Sequence, residues 1–357
     1  MGQAEKDAVC AVLDSGWLGE GPRCAEFEKR LAQWYLARHA LAVNSCTSAL
    51  LLALRALNVG PGDEVILPAL TFVSDALVVK YLGARPIFAD VRPDCLCLDP
   101  DDVAAKRTPK TKAVILVDYA GFPAVGNDVY ASLPLTTHPA YQGMALVQDA
   151  AHSAGGQFYG DLMCLSFHPV KNLATGDGGA IVLNDGAKAD RIRSLRWCGI
   201  NRSTFARSGK RYSWDYAIEE IGYKANWNDI QAAIALCQLD RLDAMNARRR
   251  QIAERYTREL GDVIEPPADH RYHTWHLYVA RVDAHKRDAL IDGLAAKGIG
   301  TGVHYRPLTY YPPFARQVTP PVTDWEWRRL VSLPIYADLT EDDQGRVIEA
   351  VREVLGG

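Results

Sequence analysis

The sequence predicts an α/β protein: a seven-stranded, mostly parallel sheet in a large N-terminal domain, followed by a smaller C-terminal α/β domain. Three observations carry this. Seven strand-like runs occur before residue 190, helical patterns fill several of the gaps between them, and a long helical stretch then leads into a shorter set of elements. At 357 residues the chain is long enough for two domains, expected at 1–238 and 239–357.

The strand-like runs are His39–Asn44, Glu64–Pro68, Pro86–Val91, Ala113–Asp118, Ala145–Asp149, Met163–Phe167 and Gly179–Leu183, each short, apolar and bounded by turn residues. Ser48–Leu57 and Ser74–Tyr81 read as helices between them, so both faces of the sheet should be covered. The last two runs lie close together, which favours one antiparallel strand among parallel ones. Asp229 to Leu260 reads as one long helix bridging the domains, and the Arg248-Arg249-Arg250 run as its wet face. Beyond it, Trp275–Val282 should be a strand, Arg287–Lys297 a helix ended by Gly298, and Thr340–Leu355 a closing helix. The polar, basic segment Asn201–Ser213 reads as a mobile loop.

Composition narrows the class. With 48% hydrophobic residues and a net charge of −3, the chain can bury a large core and has no charge excess that would point to nucleic acid. No apolar stretch approaches the roughly 18 to 20 residues of a membrane span, and MGQAEKDAV lacks a signal-peptide core, so a cytoplasmic protein is expected. The eight cysteines show no paired ligand spacing and read as reduced, mostly buried thiols. His270, His273 and His276 carry no metal site at helical or strand spacing, and no metal is expected.

The chemistry concentrates between Met144 and Val182. The run ending at Asp149 places an ionisable group at the carboxyl end of a strand, the edge where open α/β sheets hold ligands. The next strand ends in Pro169 and then Lys171, and Gly176, Gly178 and Gly179 allow the sharp turn that follows. An acid and an amine at one sheet rim suit an organic cofactor with a carbonyl and a basic ring nitrogen, and pyridoxal phosphate is the leading candidate. Lys171 would form the Schiff base and Asp149 would keep the ring nitrogen protonated. Taken singly, each has a commoner role, Asp149 as a helix cap and Lys171 as a solvated loop residue. Their joint placement favours the cofactor.

Asn44-Ser45-Cys46-Thr47-Ser48 ends one strand and opens a helix, so its free amides and hydroxyls face an anion with the helix dipole in favour. A cap by Asn44 or Ser45 is the plain alternative there.

Asp149-Ala150-Ala151-His152 and Ser166-Phe167-His168-Pro169-Val170-Lys171-Asn172, continued by Thr175-Gly176-Asp177-Gly178-Gly179, closely resemble the nucleotide-sugar aminotransferases of the DegT/DnrJ/StrS family, which are fold-type I pyridoxal phosphate enzymes. The resemblance runs in order through Gly16-Trp17-Leu18, Asn44 to Leu50, Pro61 to Val65, Leu70 to Ser74, Gly222-Tyr223-Lys224, Asp229 to Ala233, Val303-His304-Tyr305 and Ser332-Leu333-Pro334. It implies that Lys171 is the catalytic lysine and that Cys46, Thr47 and Ser166 hold the cofactor phosphate. Phe72 would stack on the pyridine, and His152 would lie near its ring oxygen. The stretch to Asn226 is similar to one that reaches a neighbouring subunit's phosphate, with Lys224 or Asn226 making the contact in a homodimer. His304 and Tyr305 resemble residues of the sugar-nucleotide pocket.

The implied reaction passes an amino group from an amino acid, L-glutamate by resemblance, to a nucleotide-linked keto-sugar in amino-sugar biosynthesis. Related dehydratases carry His where this chain has Lys171. Another fold-type I enzyme or a non-catalytic, regulatory descendant are the alternatives; the first should lack the agreement at both chain ends and the second should have lost Lys171 or Asp149. The chain starts abruptly beside family members, so a shortened N-terminal arm at the substrate pocket is expected, and Tyr130–Tyr141 is unusual for a family helix region.

Overall fold

The structure is a computed structural model that describes residues 1–125, 139–200 and 215–356. The loop expected at Asn201–Ser213 lies outside the described residues, as does all of the Tyr130–Tyr141 tract before Pro139.

Seven strands form one sheet: β1 (His39–Val43), β2 (Glu64–Pro68), β3 (Arg85–Ala89), β4 (Thr111–Val117), β5 (Ala145–Asp149), β6 (Leu162–Ser166) and β7 (Gly179–Leu183), in the order β1-β7-β6-β5-β4-β2-β3. Neighbours from β6 to β3 are parallel, and β7 runs antiparallel to both β6 and β1. The antiparallel strand expected from the sequence is therefore β7. Its connection from β6 contains no helix to carry the chain back to the starting edge, so it returns as a hairpin-like loop, and that loop holds Lys171. β2, β6 and β7 are buried along their whole length, as strands covered on both faces must be.

The helices at Cys46–Ala56 and Ser74–Tyr81 pack on one face, and that at Pro22–Trp34 on the other. The Pro22–Trp34 helix opens on Gly21, which has no side chain to cap it; Asp229 supplies the cap, accepting from the amides of Gly21 (2.9 Å), Arg23 (3.1 Å) and Cys24 (3.0 Å). Asp229 also starts the 32-residue helix Asp229–Leu260, itself capped by Asn228 accepting from the Gln231 amide. Leu236, Leu239 and Leu242 of that helix join the core on the sheet, whereas Ile252, Ala253, Tyr256 and Leu260 join a separate core with β8 (Tyr278–Arg281), β9 (Leu330–Leu333) and the helices Arg287–Ala296 and Glu341–Gly356.

Three sequence expectations change. The strand begins at Tyr278, not Trp275, whose φ of 51° breaks an extended chain. Arg249 is not on a wet face: it is buried, and Nη1 donates to the carbonyls of Ile335 (2.9 Å), His276 and Trp275. Half the cysteines are buried, Cys24, Cys95, Cys97 and Cys164; Cys10 and Cys198 are exposed, and all eight are free. Among the described residues no helix is long and apolar enough to cross a membrane.

Candidate active site

Parallel strands that end at one edge leave their last residues facing a common crevice. Here Val117, Asp149 and Ser166, at the ends of β4, β5 and β6, line a cavity of about 550 Å³, within the size range of small-molecule sites. Cys46, Thr47, Phe72, His152, Lys171, His304 and Tyr305 line the same cavity. It thus gathers nine of the residues singled out in the sequence. Lys224 and Asn226 do not line it: Lys224 Nζ lies 2.6 Å from Asn226 Oδ1 and 3.7 Å from the centre of the Trp197 ring, and Asn226 bridges to Val43 at the sheet edge.

Lys171 combines burial with lack of partners. Among the described residues its amine makes no hydrogen bond and no ion pair, and burial lowers its pKa from the usual 10.5, against the attraction of Asp149 and Cys46. A desolvated amine is easier to deprotonate and so more nucleophilic. The Asp149 carboxyl, on β5, accepts from the Ala151 amide (3.0 Å) and the Cys46 thiol (3.6 Å). Burial raises its pKa, opposed by the Ala151 amide, Lys171, Cys46 and Asp75.

A ready anion cradle lies across the cavity. Ser45 caps the Cys46–Ala56 helix by accepting from the Ser48 amide (3.1 Å), which leaves the Cys46 and Thr47 amides without a protein acceptor among the described residues. The turn fits because Gly179 packs under it: a Cβ there would lie 2.6 Å from the Ser45 carbonyl carbon and 2.7 Å from the Cys46 nitrogen. The Ser45 cap expected from the sequence is present, and it coexists with two amides that have no protein acceptor among the described residues. Phe72 is 53% exposed, although it lies on the cavity wall, and its ring sits 6.2 Å from that of Tyr305.

His152 is fixed by its partners. The Ala120 amide donates to Nδ1 (3.3 Å), so the hydrogen resides on Nε2, which faces the Tyr305 hydroxyl at 3.0 Å. The Tyr305 proton is thereby free to point elsewhere. Burial first, and then Lys171, holds His152 neutral with its pKa well below 6.5. The His276 ring lies beside it, tilted by 36° with the ring centres 4.5 Å apart, and is held through Nδ1 by Asn172 Oδ1 (3.0 Å), whose amide group donates to Asn246 and Thr274. His304 bonds Ser332 Oγ through Nδ1 (2.8 Å), and burial followed by Lys171 lowers its pKa to about 4.

His276, Thr71 and Asp75 escaped the sequence reading. His276 was weighed only as a metal ligand, and among the described residues no three such groups converge to hold one. Asp75 stands three residues after Phe72, one helical turn, and that spacing was its only signal.

An amine without a hydrogen-bond partner in a crevice of this size is suited to attack a carbonyl, and a ligand-sized crevice at the ends of parallel strands defines the class as α/β enzymes. Within that class the chain belongs to the DegT/DnrJ/EryC1/StrS aminotransferase family, whose family model matches residues 1–352. The chain is 40% identical to the spore coat polysaccharide biosynthesis protein SpsC of Bacillus subtilis, over all of this chain and 96% of that protein. Its fold is similar to the sugar aminotransferase CalS13 of Micromonospora echinospora, with a TM-score of 0.85, 32% identity and 99% and 97% of the two chains covered. It is also similar to Spr1654 of Streptococcus pneumoniae in its PLP form, with a TM-score of 0.89, 30% identity and 100% and 97% covered. The family match, which spans both ends of the chain, makes this a member of an aminotransferase family.

Proposed function

We propose that the cavity holds pyridoxal 5′-phosphate and transfers an amino group from L-glutamate to a keto-sugar linked to a nucleotide, within amino-sugar biosynthesis. The observation that carries this is the meeting of the partnerless Lys171 amine and the under-bonded Asp149 carboxyl in one cavity. The donor set fits the group. The free Cys46 and Thr47 amides and the Ser166 hydroxyl suit its phosphate, the exposed face of Phe72 suits its ring, and Asp149 suits a protonated ring nitrogen.

When bound, the cofactor supplies an aldehyde that accepts amines and a ring that takes up electrons released at the substrate carbon. Lys171 Nζ would link to that aldehyde at rest; freed when the donor amine takes its place, it would move a proton at the donor's Cα, as base and then acid. Asp149 would accept the hydrogen bond of a protonated ring nitrogen. The neutral His152 orients the Tyr305 hydroxyl toward the cavity, and His304 lies at the mouth where a sugar would enter. The amino donor would leave as a 2-oxo acid with the uptake of one water, and the keto-sugar would take up the nitrogen by the same proton movements in reverse, with the release of one water.

Lys224 and Asn226 belong in this reading to the site of a second copy in a homodimer, since their own cavity does not include them. The division between large and small domains, expected at 238/239, lies in this reading further along the Asp229–Leu260 helix, between Leu242 and Ile252, because Leu239 and Leu242 still pack in the core on the sheet. L-Glutamate added to the yellow, cofactor-loaded protein should bleach its visible band, and a keto-sugar nucleotide should restore it. A protein that stays colourless with pyridoxal 5′-phosphate, and whose Lys171 is unmodified after borohydride, overturns the proposal.

A further inference from the structure

A second carboxyl stands behind Asp149. Asp75 is fully buried, one turn on from Phe72, and its amide donates to the Phe72 carbonyl (3.3 Å). A helix N-terminus favours a carboxylate, yet neither Asp75 oxygen takes a backbone amide. Oδ2 accepts from the Thr71 hydroxyl, while Oδ1 is buried with no hydrogen-bond partner. The side chain lies within hydrogen-bonding reach of Asp149.

Two carboxylates in contact and out of water cannot both ionise cheaply, and a buried carboxylate oxygen without a donor carries a further cost. One proton relieves both. A proton on Asp75 removes the charge from its orphaned oxygen and gives the side chain a hydrogen to donate to Asp149, while Thr71 continues to serve Oδ2. The surrounding groups favour that site for the proton. Lys171 attracts the charge of Asp149, whereas the groups acting on Asp75 are Asp149 itself and the Thr71 hydroxyl, and none is a cation. The Cys46 and Cys164 thiols and the Tyr305 phenol, which also face the pair, are neutral, with burial raising all three. Burial and then the Asp149 charge push Asp75 well above the ordinary carboxyl range, which agrees with the geometry.

We propose that Asp75 and Asp149 share a single proton, with Asp75 the neutral acid that donates to Asp149 and holds it, as a carboxylate, in one orientation toward the cavity. Asp75 is then a positioning residue acting through Asp149. Its consequence for the cofactor's ring nitrogen rests on the function proposed above; the shared proton itself does not.

Infrared spectroscopy of the full chain at pH 7, with and without pyridoxal 5′-phosphate, tests the pairing directly. The wild-type minus Asp75→Asn difference should contain a carboxylic C=O stretch that shifts in D2O. Its absence overturns the proposal. Asp75→Asn retains a donor of the same size and should bind the cofactor within about threefold of wild type, whereas Asp75→Leu should bind about tenfold more weakly or worse, as expected for loss of a hydrogen bond to a charged group. Equal binding by wild type and Asp75→Leu also overturns it. A protein that shows the band but takes up no cofactor supports the shared proton and removes the functional reading; a coloured protein without the band does the reverse.

Discussion

Asp118 follows the last residue of β4 and Asp149 ends the neighbouring parallel strand β5; both are buried, yet they are furnished in opposite ways. Asp118 accepts from the Ala124 amide (2.9 Å), Gln148 Nε2 (2.8 Å), Ser153 Oγ and the Tyr159 hydroxyl. Asp149 has one amide and one weak thiol donor, a buried acid for a neighbour and an open cavity in front. Burial does not separate the two. The hydrogen-bond deficit does: a carboxylate whose valences are filled by its own chain is a structural tie, and one left short is waiting for a ligand.

Lys171→Ala should break the open side of this contrast most severely. Turnover is expected to fall by about 10⁴-fold or more, because one group supplies both the cofactor linkage and the proton transfer. Stopped-flow absorbance with glutamate measures it, and a variant within tenfold of wild type would refute the role. Asp149→Asn comes next. It should lower kcat/KM by about 10²- to 10³-fold, as for loss of one preorganised electrostatic partner, while the urea midpoint stays near wild type.

Asp118→Ala should do the converse. It strands the Gln148, Ser153 and Tyr159 donors and should cost about 3 kcal/mol of stability in urea unfolding, with kcat within about threefold of wild type. Should Asp118→Ala abolish activity at unchanged stability, the distinction between filled and unfilled carboxylates fails.

The smallest effect is one of pH. His273, stacked on Trp275 at 3.9 Å and outside the cavity, has its pKa lowered by burial to about 3. Because the folded pKa lies below the unfolded value near 6.5, the contribution to stability is complete above pH 6.5 and is lost as pH falls toward 3. At pH 5 the loss is about 2 kcal/mol. Urea midpoints at pH 7 and pH 5 should therefore converge more closely for His273→Gln than for wild type; identical drops would show that this imidazole is not held neutral.

Much of the scaffold was legible because strand and helix periodicity is local. The run at Ala145–Asp149 and the helix at Asp229–Leu260 have the bounds that their patterns predict, and the glycines after Lys171 mark the turn into β7. β9, only four residues long, escaped notice because its burial comes from pairing with β8, which no local pattern announces. Arg249 misled for a related reason. A charged run on a helix usually faces water, and only the return of the chain at Trp275, His276 and Ile335 brings carbonyls to meet its middle member.

By itself the sequence determined the α/β class, the order of its strands along the chain and the pairing of Lys171 with Asp149, because each rests on short-range pattern or on a motif contiguous in the chain. Tertiary structure alone decided which buried groups are satisfied. Asp229 caps a helix more than 200 residues away, His276 packs against His152, and Asp75 is left against Asp149 with one oxygen unpaired. Hydrogen bonding and desolvation depend on what the folded chain brings within about 3 Å, and residue spacing does not encode that distance.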